Sequence, residues 1–211
     1  MAADDTTEHQ DDRSDRDVLR RLRTGTAAEH EAVEATLDLL DPRLDRDRLG
    51  RALAVMHGFW VAAEHGLDEW AARCPADAAA VDWPRRRRAD LFAADLRALG
   101  ADVPDDAPQL PAVTGTDEAL GRLYVLEGST LGGTFIDRHL ATLPPLADVR
   151  IAAFSPYGPE TGAMWAAFRR FTRAHVAAGG EVDRIVAAAR ETFQALAEHC
   201  APAASSAQVP A

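Results

Sequence analysis

Two stretches carry residue types and spacings that could do chemistry. In the first, Leu22-Arg-Thr-Gly-Thr-Ala-Ala-Glu-His30-Glu-Ala-Val-Glu34, a helical period puts Thr26 and Glu34 one turn either side of His30, with Arg23 two turns before it on the same side. Glu34 can accept a hydrogen bond from one ring nitrogen, directly or through water, and leave the other nitrogen free for a metal. A buried histidine satisfied by its neighbours would show the same spacing. The second stretch, Leu123 to Asp137, has apolar residues at helical spacing but is interrupted by Gly128, Gly132 and Gly133. Each glycine costs a helix roughly 1 kcal/mol relative to alanine. Three within six positions imply a close approach of backbone to something else, either a second helix or a flat ligand. The spacing is compatible with both.

Other chemistries find little support. His9, His57, His65, His139, His175 and His199 form no spaced ligand set such as His-Glu-x-x-His, and there is no Gly-x-Ser-x-Gly elbow, phosphate loop or dinucleotide fingerprint. Ser129 lies within the glycine-bearing helix and is no evident nucleophile. Cys74 and Cys200 fit neither a disulfide framework nor a metal spacing, which points to reduced thiols and a cytoplasmic protein. The formal net charge of -11 opposes nucleic acid and anionic membrane surfaces. No apolar run reaches membrane-spanning length, and the acidic start of the chain is not a signal peptide.

The elements that must position these residues are helices. The 211 residues suffice for one domain, 47% of them are hydrophobic, and alanine is abundant while β-branched and aromatic residues are sparse, so we expect an all-α, compact multi-helix bundle. Residues 1–16 and 201–211 read as tails flanking a domain over 17–200. A first helix is expected from Arg16 to Leu40, with Leu19, Leu22, Thr26, His30, Val33 and Leu37 inward and Asp41-Pro42 as its stop. A second follows from Asp47 to Arg73, and a third opens at Pro84 and closes at Gly100. After a proline-rich loop over 103–116, Thr116 or Asp117 caps the glycine-bearing helix, which ends before Pro144. A fifth runs from Pro159 to Gly179 and a sixth from Glu181 to His199. The run Arg85 to Arg88 reads as a solvated first helical turn, with docking of an acidic electron donor as the functional alternative.

The His30 and Gly128–Gly133 stretches, in this order and separation, together with Phe154-Ser-Pro-Tyr-Gly-Pro-Glu-Thr-Gly-Ala-Met-Trp-Ala-Ala-Phe168, closely resemble the heme oxygenases, in particular the bacterial biliverdin-producing type that serves phytochromes. The resemblance covers roughly residues 17–200. It implies that His30 is the proximal ligand of haem iron, that Glu34 is its carboxylate partner, and that Gly128, Ser129, Gly132 and Gly133 lie over the opposite face. It places Thr26 at the haem site and Arg23 and Arg169 at the propionates, with Arg173 assisting. The implied reaction opens haem, at once cofactor and substrate, with dioxygen and electrons to biliverdin, carbon monoxide and ferrous iron. The electrons would come from a ferredoxin, flavodoxin or reductase, and biliverdin would pass to a phytochrome. A neutral imidazole lacks the electron push of a thiolate, which suits attack on the ring. One departure stands out: animal-type members carry an aspartate where this chain has Ser129. A hydroxyl holds a water but brings no negative charge. That keeps open a non-catalytic haem carrier or sensor on the same fold, beside a helical interaction module in which the glycines pack against a neighbour.

Overall fold

The computed structural model describes residues 18–206, and the expected tail over 1–16 lies outside them. Every regular element among the described residues is helical. In chain order these are α1 (18–25), α2 (Ala27–Leu37), α3 (Arg46–Arg73), α4 (Pro75–Ala80), α5 (Ala89–Leu99), α6 (Thr116–Thr142), α7 (Thr161–Ala177) and α8 (Val182–Ser206), with single 3-10 turns at Trp83–Arg86, Pro144–Leu146 and Gly158–Glu160. The core is built by α3, α5, α6, α7 and α8 around Trp60, Trp70, Phe59, Phe92 and Phe168, all of them almost fully buried.

Local chemistry explains the boundaries. Asp45 caps α3 by accepting from the Arg48 amide at 2.8 Å, Pro75 opens α4, and Gly100 closes α5 at φ 75°. The start of α5 is capped from another helix. The buried carboxylate of Glu64 on α3 accepts the amides of Arg88 and Ala89 at 2.5 and 2.8 Å, and burial pushes it above the usual carboxylate range.

Several expectations are corrected. The first helix is two, because Thr26 leaves helical geometry at φ −122° and ψ 7°, and it ends at Leu37, where Asp38 turns left-handed. Position 26 is the bend that separates them. The helix expected from Pro84 is a 3-10 turn followed by α5, and α4 was not foreseen. Gly115, not Thr116 or Asp117, precedes α6; the Thr116 hydroxyl instead accepts from the Trp70 indole at 3.1 Å and donates to Asp77 at 2.5 Å. Helix α8 continues to Ser206, past the expected start of the closing tail.

Three helices that matter for the site run side by side in one direction. Along α8, Asp183 meets Arg21, Arg190 meets Glu29 at 2.9 Å and Phe193 meets His30, so α1 and α2 rise with it. Along the same helix, the Glu181 amide donates to Asp117, Arg184 to Glu118 at 2.6 Å, and Gly121 sits against Ile185 and Ala188, so α6 rises with it too. A Cβ at Gly121 would lie 2.4 Å from the Ile185 carbonyl, which shows how closely the two helices pass. Helix α7 runs the other way along α6, with Trp165 against Tyr124 and His175 on Asp117 at 2.6 Å.

Candidate functional site

The meeting point of these helices is Tyr124. Its hydroxyl faces the Thr26 side chain and the Arg23 charge, burial pushes its pKa up, and its ring lies 6.0 Å from that of Trp165. From this point the directions of the helices sort the site. One turn further along α2 stands His30, and one and two turns further along α6 stand Gly128 and Gly132. Towards the opposite end of α6 lie Arg23 and, one and two turns beyond Trp165 on α7, Arg169 and Arg173. These arginines fall at one end, where Asp117, Glu118 and Asp183 also lie, and an imidazole and a glycine face at the other.

His30 is not on the inward stripe where periodicity puts it. Its side chain is 54% exposed. Glu34 stands beside it, with Nδ1 3.5 Å from Oε2, a separation that leaves Nε2 for a ligand. Thr26 is buried and donates to the Leu22 carbonyl at 2.8 Å, so it serves the bend.

The glycines divide into two kinds. No heavy atom among the described residues lies within 4 Å of a Cβ built at Gly128 or Gly132, so neither packs against a neighbouring helix. At Gly133 a Cβ would stand 2.0 Å from the Phe154 carbonyl oxygen. Gly133 therefore belongs to the packing of α6 on the Phe154 loop, and the reading in which all three glycines serve helix packing fails at the other two. Leu131 and Phe135, three residues after Gly128 and Gly132, are 42% and 65% exposed. Large apolar side chains beside bare backbone make a face suited to a flat apolar ligand. Their offset of three from the glycines was the available signal in the sequence.

Behind this face is a buried polar network that sequence reasoning missed. The run Arg85 to Arg88 is not a solvated turn. Arg86 is wholly buried and paired with Glu127, which also accepts from the Tyr157 hydroxyl at 2.7 Å. Arg88 is also buried; it lies 4.9 Å over the Trp60 ring, donates to the carbonyls of Ala153 and Leu126, and donates to the Ser129 hydroxyl at 2.9 Å. Burial lowers its pKa, with Glu127 the main opposing influence. Arg85 pairs with Glu160 and Arg87 with Asp68 at 3.0 Å, and both remain half exposed. Ser129 gives its own hydrogen to Leu126 at 2.7 Å. Its oxygen is thus fixed at the edge of the glycine face.

The residues present fit a haem. The donor set is a single imidazole, the apolar face has backbone in place of side chains, and at the other end the buried Nε of Arg169 has no hydrogen-bond partner among the described residues. No group of three or more histidine, cysteine, aspartate or glutamate side chains is gathered for another metal among those residues, and no helix is long and apolar enough to cross a membrane.

No protein-family model matches the chain. A heme oxygenase of Xanthomonas campestris pv. campestris is 33% identical over 102 residues, which are 48% of this chain and 58% of the relative. Heme oxygenase PigA of Pseudomonas aeruginosa is 34% identical over 128 residues, which are 59% of this chain and 61% of the relative. The chain thus spans about three fifths of the length of these curated relatives. Among solved structures, the NO- and CO-bound heme oxygenase of Neisseria meningitidis superimposes with a TM-score of 0.73 at 23% identity, covering 89% of this chain and 92% of the other. The heme oxygenase of Leptospira interrogans does so at 0.70 and 17% identity, covering 88% and 98%. The fold is shared along nearly the whole chain.

Proposed function

We propose that this chain, a member of the heme oxygenase family, binds haem between α2 and α6 and opens it, with dioxygen and electrons, to biliverdin, carbon monoxide and ferrous iron. The observation that carries the reading is the pairing of an exposed imidazole beside a carboxylate on α2 with an open glycine face on the parallel α6. When bound, haem supplies both the iron that activates dioxygen and the ring that is opened. The protein's part is to hold, orient and exclude.

His30 would hold the haem iron, with Glu34 beside its Nδ1 and Nε2 as the nitrogen left for the metal. Arg23, Arg169 and Arg173 receive the two propionates at the opposite end. Gly128 and Gly132 admit the ring against backbone, while Leu131 and Phe135 keep water from its edge. Ser129, fixed by Arg88, offers an acceptor for a water that delivers protons. It takes the place of the aspartate of animal-type members.

We further propose one domain over 17–200, a cytoplasmic location consistent with unpaired cysteines, a ferredoxin, flavodoxin or reductase as electron source, and a phytochrome as one destination of the product. A second reading, a haem carrier or sensor without turnover, draws on one observation: the Ser129 hydrogen is already given to Leu126.

Replacing His30 with alanine tests the ligand assignment. Titrated with ferric haem, the variant is expected to lose the axial-imidazole spectrum and most of its affinity. A spectrum identical to that of the wild type would assign the iron to another residue.

A further inference from the structure

A half-exposed imidazole on a helix surface has several rotamers open to it, and one carboxylate at 3.5 Å does not fix the plane of the ring. Helix α8 provides what is missing. Arg190, Phe193 and Gln194 are spaced i, i+3 and i+4 and so share one face of α8. All three bear on consecutive residues of α2. Arg190 donates through Nε to Glu29 at 2.9 Å, and Gln194, one turn on, reaches towards the same carboxylate. The Phe193 ring, 6% exposed, stands 5.6 Å from the His30 ring at 76°, an edge-to-face contact. The ring of His30 is therefore bounded by Glu34 from its own helix and by Phe193 from α8. The backbone that carries it is pinned through Glu29.

We propose that the 190–194 turn of α8 is a clamp that orients the axial imidazole, with Phe193 setting the plane of its ring and Arg190 and Gln194 fixing the α2 turn that bears it. The inference rests on the reading of His30 as the iron ligand. These are positioning residues: they touch the ligand or its helix and do not touch the reacting atoms. Their effect is on how rigidly one ring orientation is maintained at the iron, and thus on the strength and uniformity of the axial bond.

The test uses the full chain loaded with haem and reduced under carbon-monoxide-free argon, and reads the iron–imidazole stretching band by resonance Raman spectroscopy alongside haem affinity. Phe193→Leu removes the flat ring at similar volume, Phe193→Tyr restores it, and Arg190→Met acts at a side chain that is 53% exposed and so leaves the core intact. The clamp predicts a shifted and broadened band with about tenfold weaker haem affinity in Phe193→Leu and Arg190→Met, and the wild-type band in Phe193→Tyr. Wild-type band and affinity in both Phe193→Leu and Arg190→Met would overturn it. Should Phe193→Leu fail to fold, Arg190→Met alone carries the same decision. A band that survives in His30→Ala would instead overturn the ligand assignment, a result distinct from the failure of the clamp.

Discussion

At the scale of the residue, the site depends on what a side chain would meet. Gly128 and Gly133 differ by five positions on one helix and have opposite requirements. Replacing Gly133 with alanine drives a Cβ into the Phe154 carbonyl, a backbone atom that cannot swing aside, and should destabilise the fold by about 1–3 kcal/mol in chemical denaturation. Gly128→Ala adds a Cβ with nothing within 4 Å of it and replaces a poor helix former, so its denaturation midpoint should equal or exceed that of the wild type while haem titration shows weakened binding. Equal stability losses in the two variants would show that the face at Gly128 is packed, not open. Sequence spacing made the His30–Glu34 pair legible, since four residues is one helical turn, and it singled out the glycines. It could not divide them, because whether a missing side chain faces a loop or open space depends on the Phe154 segment folding back from later in the chain. Nor could it place His30 correctly: the inward stripe predicts a buried side chain, and His30 is 54% exposed.

At the scale of the element, the least legible feature is the arginine run before α5. Four consecutive arginines have the local signature of a solvated turn. The 3-10 turn at Trp83–Arg86 and the two residues after it instead send alternate side chains in opposite directions, Arg86 and Arg88 into the core and Arg85 and Arg87 to surface carboxylates. The buried pair with Glu127 fastens this turn to α6 next to the glycine face. Arg86→Met should cost about 3–5 kcal/mol, because it takes the direct ion-pair partner from the buried Glu127 and leaves it the Tyr157 hydroxyl and the more distant Arg88 charge. Replacing both members, Arg86→Met with Glu127→Leu, should recover much of that loss in the same denaturation experiment. A negligible cost for the single variant would mean that water reaches Glu127. The long helices α3, α6 and α8 were legible for the opposite reason: their apolar residues recur over many turns, and Pro75 and Pro144 mark the ends of α3 and α6.

At the scale of the whole molecule, the arrangement follows from three parallel helices and one antiparallel one. Because α2 and α6 both run along α8, a histidine and a glycine face about a hundred residues apart in the chain emerge on the same side of the Tyr124 contact. Because α7 returns along α6, its arginines fall at the other end with Arg23. The fold thereby places Arg23, Arg169 and Arg173 at one end and the His30 imidazole with the open glycine face at the other, an order that matches the haem proposed to bind there, propionates on one edge and bare ring on the other. The central claim, that this arrangement turns haem over and does not merely hold it, is tested most directly by a single-turnover assay. The protein is reconstituted with one equivalent of haem, a reductant is added in air with catalase present, and the visible spectrum is followed. The account predicts loss of the haem band with growth of a biliverdin band. A haem spectrum that forms and persists, in conditions where a known heme oxygenase completes turnover, would contradict it and make the chain a haem-binding protein on an oxygenase fold.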